Sequence, residues 1–395
     1  MPKLTIEALD LRGKRVFVRA DLNAPLANGE VSDDTRLRAV LPTLQLALKA
    51  GAAVVLASHL GRPKGKPSPE FSLRPVAQRL EALLGQPVEL ARDCVGPETE
   101  ARARALQPGE VLLLENLRFH PEEEANDDGF ARQLAALADC YVDDAFAAAH
   151  RAHASLAAIT KHLQPAAAGL LVQRELAALG RILGDPQRPL VAILGGAKVS
   201  EKLALVEHLL ARVDILLIGG GMAFTFLLAL GHAVGRSLVE LDRVETARAA
   251  LDVARRRGAR IVLPVDALVA PGLDSPSGRA VGIREIPADQ MGLDIGPRTV
   301  AGFAATLRGA RTIVWNGPMG VFERPPFAGG TVAVARAVAE SGAFSVIGGG
   351  DTIAAVAQAG VTDRIGYIST AGGAFLEFLE GRQLPGVEAL TEVPV

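Results

Sequence analysis

The residues of this chain best suited to chemistry are glycine-rich stretches that follow apolar runs, and the chemistry they suit is phosphate binding. The clearest is Ser345–Val356, SVIGGGDTIAAV: a short apolar run, Gly348–Gly350, Asp351 and an Ala-rich helical start. With no Cβ in the way, main-chain N–H groups can approach phosphate oxygens, and a following helix aims its positive end at the same place. Thr352 adds a hydroxyl. Asp351 suits such a site only with a cation beside it, which Mg2+ held by one carboxylate and the substrate's own phosphates would supply. The same stretch equally suits a tight strand-to-helix turn with an aspartate at the cap. A second stretch, GGAKVSEK, places Lys198 and Lys202 four apart, as on one helix face, where an anion between them would offset their repulsion. A solvated face with Glu201 alongside is the other reading. No G-x-x-x-x-G-K-[ST] loop occurs, and neither Gly219/Gly221 nor Gly348/Gly350 completes a G-x-G-x-x-G. A P-loop and a dinucleotide-binding dehydrogenase both lose support, and protein-kinase motifs are missing.

The amino-terminal half carries different side chains: Arg36, His59, Arg62, Arg118, His150 and Arg151. Arginine grips carboxylate or phosphate through two parallel hydrogen bonds, so a cluster of them suits a small anion with several negative groups. Each alone also suits a surface ion pair; their joint placement after apolar runs favours the cluster. His150 and His153 have helical spacing for a metal pair but lack an evident third ligand. Cys94 and Cys140 match no CxxC pattern and read as buried small hydrophobes.

Apolar runs of strand length recur at Val16–Ala20, Val54–Ala57, Val111–Leu114, Leu190–Leu194, Ile215–Ile218, Ile261–Pro264, Thr312–Trp315, Ser345–Ile347 and Tyr367–Ser369. They are continuous rather than alternating, as in parallel strands buried on both faces, and helix-period segments such as Asp33–Ala50 and Glu245–Arg257 fit between them. The fold class is α/β, with two doubly wound parallel-sheet (Rossmann-like) domains. They are joined by a long helix over Leu170–Leu183, which Gly184 and Asp185-Pro186 end. The expected boundaries are 1–170 and 185–381 with an interdomain helix at 171–184. Polar or glycine residues follow the strands in both halves, where open α/β sheets bind ligands, so two facing sites across a cleft are implied, one per half. At 395 residues, two domains are the expectation. A net charge of −2 argues against a general nucleic-acid or membrane-surface binder. The uncharged stretch from Asp214 to His232 is broken by three glycines and too short to span a membrane, and MPKLTIEALD has no apolar signal core, so a cytoplasmic protein is expected.

Taken together the motifs resemble phosphoglycerate kinase. The matching stretches are VRADLNAPL, TRLRAVLPTL, SHLGRPKG, LLLENLRFHPEEE, YVDDAF, AHRAHAS, LGGAKVSEKL, IGGGMAFTFL, GLDIGP, WNGPMGVFE, GGGDT and STAGGA, in family order across nearly the whole chain. The resemblance implies reversible transfer of the acyl phosphate of 1,3-bisphosphoglycerate to ADP, by a monomer that closes by hinge bending. It implies that Asp21, Asn23, Arg36, His59, Arg62, Arg118 and Arg151 bind 3-phosphoglycerate or the bisphosphate. Lys202, Gly292, Asn316, Pro318, Gly320, Glu323, Gly349, Gly350, Asp351 and Thr352 would bind the nucleotide, with Asp351 reaching its Mg2+. Arg36, Lys198, Lys202, Gly372 and Gly373 would flank the phosphoryl group in transit. The tail, 382–395, would return to the first domain. Three departures stand out: Ala147-Ala148 for a usual Gly-Thr, Leu156 for a common Thr, and Ala371 for the first glycine of a triple-glycine run.

Overall fold

The computed structural model describes residues 2–393. Packing divides the chain into one unit that runs to Ala177 and takes in the segment from Gln383, and a second, Ala178–Arg382. The division falls inside the helix Leu170–Leu183.

In the first unit six strands form one parallel sheet, in the order Val88–Leu90, Val111–Leu113, Ala53–Ala57, Arg15–Ala20, Cys140–Asp144, Ala166–Ala168. Arg15–Ala20 lies centrally, with Val16 opposite Val54 on one side and Cys140 on the other. All of Val16–Ala20 is buried, as continuous apolar runs require of strands covered on both faces. The helix Thr35–Lys49 turns Leu37, Val40 and Leu44 onto Val16, Val18 and Leu56. At Arg15–Ala20 the strand order reverses direction, so the loops after it and after Cys140–Asp144 open a crevice at one sheet end.

The second unit's sheet runs Arg260–Val262, Ile215–Ile218, Leu190–Leu194, Thr312–Asn316, Phe344–Gly348, Tyr367–Ser369. By chain order this is third, second, first, fourth, fifth, sixth, the doubly wound arrangement with its switch point between Leu190–Leu194 and Thr312–Asn316. The uncharged stretch after Asp214 resolves into the strand Ile215–Ile218 and the helix Met222–Ala229. Among the described residues no helix is long and apolar enough to cross a membrane.

Several elements escape the apolar-run reading. Cys140–Asp144 is CYVDD, and its two aspartates hide a fully buried strand. Beside the second sheet lies a three-stranded antiparallel one, Asp266–Ala270 between Arg279–Gly282 and Met291–Ile295. Its short strands carry glycine and charge and look like loop in sequence.

The helix Leu170–Leu183 is tied to the first unit at its start. Asp144 Oδ1 accepts the N–H groups of Leu171 at 2.8 Å and Val172 at 3.4 Å, while Thr43 Oγ1 accepts that of Leu170 at 3.0 Å. The tail is held by main-chain bonds: Gly386 N–H donates to Ala149 O at 2.8 Å and Thr391 N–H to Ala166 O at 2.9 Å.

Candidate active site

In the first unit, strand ends bring the cations together. Asn116, wholly buried, donates to Leu60 O at 2.8 Å and Phe71 O at 2.9 Å, and its Oδ1 accepts the N–H groups of Leu60 and Arg118. One amide thereby locks the loop carrying His59 and Arg62 to the turn carrying Arg118. Asn23 Oδ1 accepts Gly61 N–H at 2.9 Å, which adds the loop after Arg15–Ala20. Arg118 is 4 % exposed and donates to Gly61 O at 2.8 Å. Arg36, on the first turn of its helix, forms an ion pair with Asp21. Asp21 is therefore a holder of Arg36 in this arrangement.

The electrostatics show how tightly the cluster is drawn. Burial, and then the charges of Arg19, Arg118, Arg151 and Arg36, hold His59 well below the ordinary imidazole range. Burial and the same arginines, Arg19, Arg118 and Arg151, push His153 down to about 3. Both rings are neutral at pH 7. His153 Nδ1 lies 3.8 Å from the Glu123 carboxylate, and His150 Nε2 lies 3.2 Å from Arg151 Nε, so the two histidines do not form a metal pair. Among the described residues the group with metal-ligand spacing is Asp93, Cys94 and His120. There His120 Nε2 is already 2.7 Å from Asp93 Oδ1, and burial keeps the Cys94 thiol protonated. Arg62 is exposed on its loop.

Beneath the cluster lies a buried polar layer that motif reading passed over. Arg19 is 1 % exposed and donates to Ser155 Oγ at 2.8 Å, to Ala20 O, and towards His59 Nδ1 at 3.2 Å. Ser155 in turn donates its hydroxyl to Glu123 at 2.5 Å and its N–H at 2.9 Å. A charged residue inside the apolar run RVFVRA was the available signal, and the strand reading absorbed it. Asp143 belongs to the same layer. Burial pushes its carboxyl up to about 7, and Oδ2 has no hydrogen-bond partner. The folded state thus keeps this proton up to about pH 7, while an unfolded aspartate loses it near pH 4. The resulting stability is present in acid and lost as pH rises through 7. Asp143→Asn is therefore expected to raise Tm at pH 8 by about 1–2 °C, roughly 1 kcal/mol at this chain length, and to change it little at pH 4.5. Thermal melts of both proteins at the two pH values check this.

Of the departures, Ala148 and Leu156 pack on one another with Ala145 in a small apolar cluster.

In the second unit, the glycines do two jobs. Some let loops interlock: a Cβ on Gly220 would stand 2.6 Å from Gly196 N, and one on Gly195 would overlap Pro318 O. Gly196 N–H then donates to Pro318 O at 3.0 Å and Gly220 N–H to Met319 O at 2.9 Å. Gly348 is packed against the Phe375 ring and Gly349, at φ +99°, against the Asn316 amide, so neither faces a ligand with its Cα. Gly350 alone of the three has open space, and it begins the helix Gly350–Gln358, whose first N–H groups have no intrahelical partner. Thr352 Oγ1 accepts Gly317 N–H at 2.7 Å and so serves the fold. Asp351 is exposed on the first turn.

Asn316 sits at the switch point, 4 % exposed, with its amide donating to Gly348 O at 2.7 Å. Lys202 Nζ donates to Asn316 O at 3.2 Å and to its side-chain oxygen. Burial pulls Lys202 down to about 8, against the opposing pull of Glu201 and Asp351. Lys202 caps the helix Leu203–Leu210, and Lys198 lies in the preceding loop, 3.6 Å from Glu201. The two lysines therefore do not share a helix face: the glycines and the early stop after Leu194 delay the helix to Leu203. Gly372 has φ +55° and open surroundings, and it caps the helix from Gly373. Ala371 keeps a negative φ, so its Cβ costs no backbone strain. Ala371→Gly is expected to leave kcat within about twofold, under 1 kcal/mol of barrier, in steady-state assays.

Next to this row of N–H groups is a cavity of about 360 Å3. Its apolar walls include Phe224, Leu238, Met291 and Leu293, and its polar rim includes Gly320, Glu323 and Asp351. Gly292 and Pro318 also line it. A flat aromatic ring would fit against such walls, with an attached anion reaching the N–H row. The apolar lining was not legible, because it combines Phe224 from the helix Met222–Ala229 with Met291 and Leu293 from the antiparallel sheet. Asp294 underlies it, accepting the N–H groups of Gly330 at 2.6 Å and Ile295 at 2.8 Å.

The family profile described as "Phosphoglycerate kinase" matches residues 6–382. The chain belongs to the phosphoglycerate kinase family. It is 58% identical over 394 residues to the phosphoglycerate kinase of Moorella thermoacetica, covering 99% of this chain and 100% of that relative. It is also 58% identical over 392 residues to the one from Desulforudis audaxviator, covering 99% of both. The phosphoglycerate kinase structure from Coxiella burnetii superposes with a TM-score of 0.92 at 44% identity, over 98% of each chain. Both parallel sheets are thus those of the phosphoglycerate kinase family.

Proposed function

We propose that this chain transfers a phosphoryl group reversibly between the acyl phosphate of 1,3-bisphosphoglycerate and ADP, giving 3-phosphoglycerate and ATP. The observation that carries this is the four-arginine cluster around a neutral His59 in the first unit. Such a site suits a small polyanion, and the second unit's apolar cavity ending on free N–H groups suits a nucleotide. Asp21 and Asn23 hold the first site's loops, while Arg36, His59, Arg62, Arg118 and Arg151 bind the phosphoglycerate. The nucleotide base occupies the cavity lined by Gly292, Pro318, Gly320 and Glu323. Its phosphates meet the Gly349–Thr352 turn, Asn316 and Lys202.

The attacking oxygen, carboxylate or phosphate, is already an anion in either direction. No general base is needed, and catalysis reduces to alignment and charge stabilisation on the transferring group. Arg36 from one unit and Lys202 from the other supply the charge, with Lys198 and the N–H groups at Gly372 and Gly373. Asp351 is an exposed carboxylate beside the phosphate-facing turn and lines the cavity, which fits a ligand to nucleotide-borne Mg2+. When bound, that ion neutralises phosphate charge. Closure about the helix Leu170–Leu183 brings the substrates together and excludes water. A monomer acting in the cytoplasm is the form we propose, the compartment supported by two buried free cysteines. The test is ATP-dependent phosphorylation of 3-phosphoglycerate read as NADH oxidation by an added dehydrogenase. Oxidation that needs both substrates is expected; ATP breakdown without 3-phosphoglycerate, or no oxidation, contradicts the proposal.

A further inference from the structure

We propose that Arg19 is a positioning residue that fixes His59 as the neutral tautomer protonated on Nε2, so that the ring presents an uncharged N–H donor to the substrate anion. This rests on the reading of the first unit's cluster as the phosphoglycerate site. The geometry is specific. Arg19 Nη2 lies 3.2 Å from His59 Nδ1, both groups are buried, and the guanidinium is held through Nε by Ser155 Oγ at 2.8 Å and through Nη1 by Ala20 O. A guanidinium has donors and no acceptor. Nδ1 must therefore carry the lone pair, and a neutral imidazole with that lone pair has its proton on Nε2. Among the described residues Nε2 has no hydrogen-bond partner, which leaves its proton for a ligand.

A neutral donor has a physical advantage here. The charges of Arg36 on its helix, Arg118 after Val111–Leu113 and Arg151 on the loop before Ser155 all bear on this ring, together with that of Arg19. The surrounding carboxylates are already engaged: Asp21 with Arg36, Glu124 with Arg118 at 3.4 Å, and Glu123 with Ser155. A fifth positive charge would strain the empty site. A neutral ring still adds a directional bond, and that bond does not change with pH in the physiological range.

The experiment uses the full chain with 15N-labelled histidine, and His59→Gln assigns the His59 resonances. In the free wild-type protein, long-range 1H–15N spectra are expected to show Nε2–H, bare Nδ1 and no titration between pH 8 and 5.5. Saturating 3-phosphoglycerate should then shift the Nε2 resonance. Arg19→Met should mix the ring's tautomers, while burial and the charges of Arg118, Arg151 and Arg36 still hold it neutral. Its Kd for 3-phosphoglycerate is expected to exceed the wild-type value about tenfold, by a similar factor at pH 8 and pH 5.5. Taking the ratio to wild type cancels the substrate's own phosphate titration. Arg19→Lys, which keeps charge and donor, should retain the wild-type tautomer and guards against a methionine variant that fails to fold. A wild-type His59 protonated on Nδ1, or titrating near the ordinary imidazole value, overturns the proposal. So does an Arg19→Met protein with an unchanged tautomer. A correct tautomer whose resonances ignore 3-phosphoglycerate overturns the substrate reading beneath it instead.

Discussion

Replacing Arg36 with alanine is expected to lower kcat by about a thousandfold, roughly 4 kcal/mol, while the nucleotide KM stays within about threefold. The size follows from what the side chain can do and how it is held. Arg36 stands on the first turn of Thr35–Lys49, and its guanidinium is anchored by Asp21, itself fixed by the Asn23 N–H at 3.2 Å. Its side chain is still 37 % exposed, so the fork can meet an anion without leaving its partner. A cation oriented in advance costs little reorganisation when charge spreads over a transferring phosphoryl group. Asp21→Asn tests the anchoring: kcat should fall, by less than for Arg36→Ala, because the charge remains and its orientation loosens. If Arg36→Ala kept kcat within about threefold, under 1 kcal/mol, Arg36 would have no part in the transition state.

Lys202→Ala carries the second large effect, an expected fall in kcat of about a hundredfold or more with a raised nucleotide KM. Lys202 is a partly buried cation whose pKa desolvation lowers to about 8. It is charged below that value and increasingly neutral above it. The wild-type nucleotide KM should therefore rise as pH passes 8, and bound phosphate, which favours the ammonium, should move that limb upward. The alanine variant should lose the limb along with the rate. Its stability has the opposite sign. An unfolded lysine binds its proton to about pH 10, so the buried site destabilises the folded state at neutral pH. The melting temperature of the variant is accordingly expected not to fall, which separates lost chemistry from lost structure. Steady-state kinetics across pH 6.5–9.5 with parallel melts read both.

What the sequence made legible follows from which residues report locally. Continuous apolar runs marked every strand of the second parallel sheet and three of the six in the first, because a buried parallel strand needs that composition alone. The residues after them marked the site because α/β sheets bind ligands there. Cys140–Asp144 was missed because its aspartates serve the layer beneath the arginines and the cap of the Leu170 helix, contacts far away in sequence. Arg19 was hidden for the same reason. The lysine pair was misassigned to a helix face because spacing says nothing about where a helix begins. The nucleotide cavity's walls depend on Phe224 meeting Gly292 across a fold of 68 residues, a pairing that no local pattern records.

The division of labour between the units is tested most directly by two Michaelis constants measured on two variants. Arg118→Ala removes a buried member of the arginine cluster. Gly292→Ala places a methyl group against the Phe224 ring inside the cavity. With both substrates varied, Arg118→Ala should raise the KM for 3-phosphoglycerate about tenfold or more and leave that for ATP within about twofold, and Gly292→Ala should do the reverse. If either variant raised both constants together, the two substrates would not occupy separate units and the account would fail.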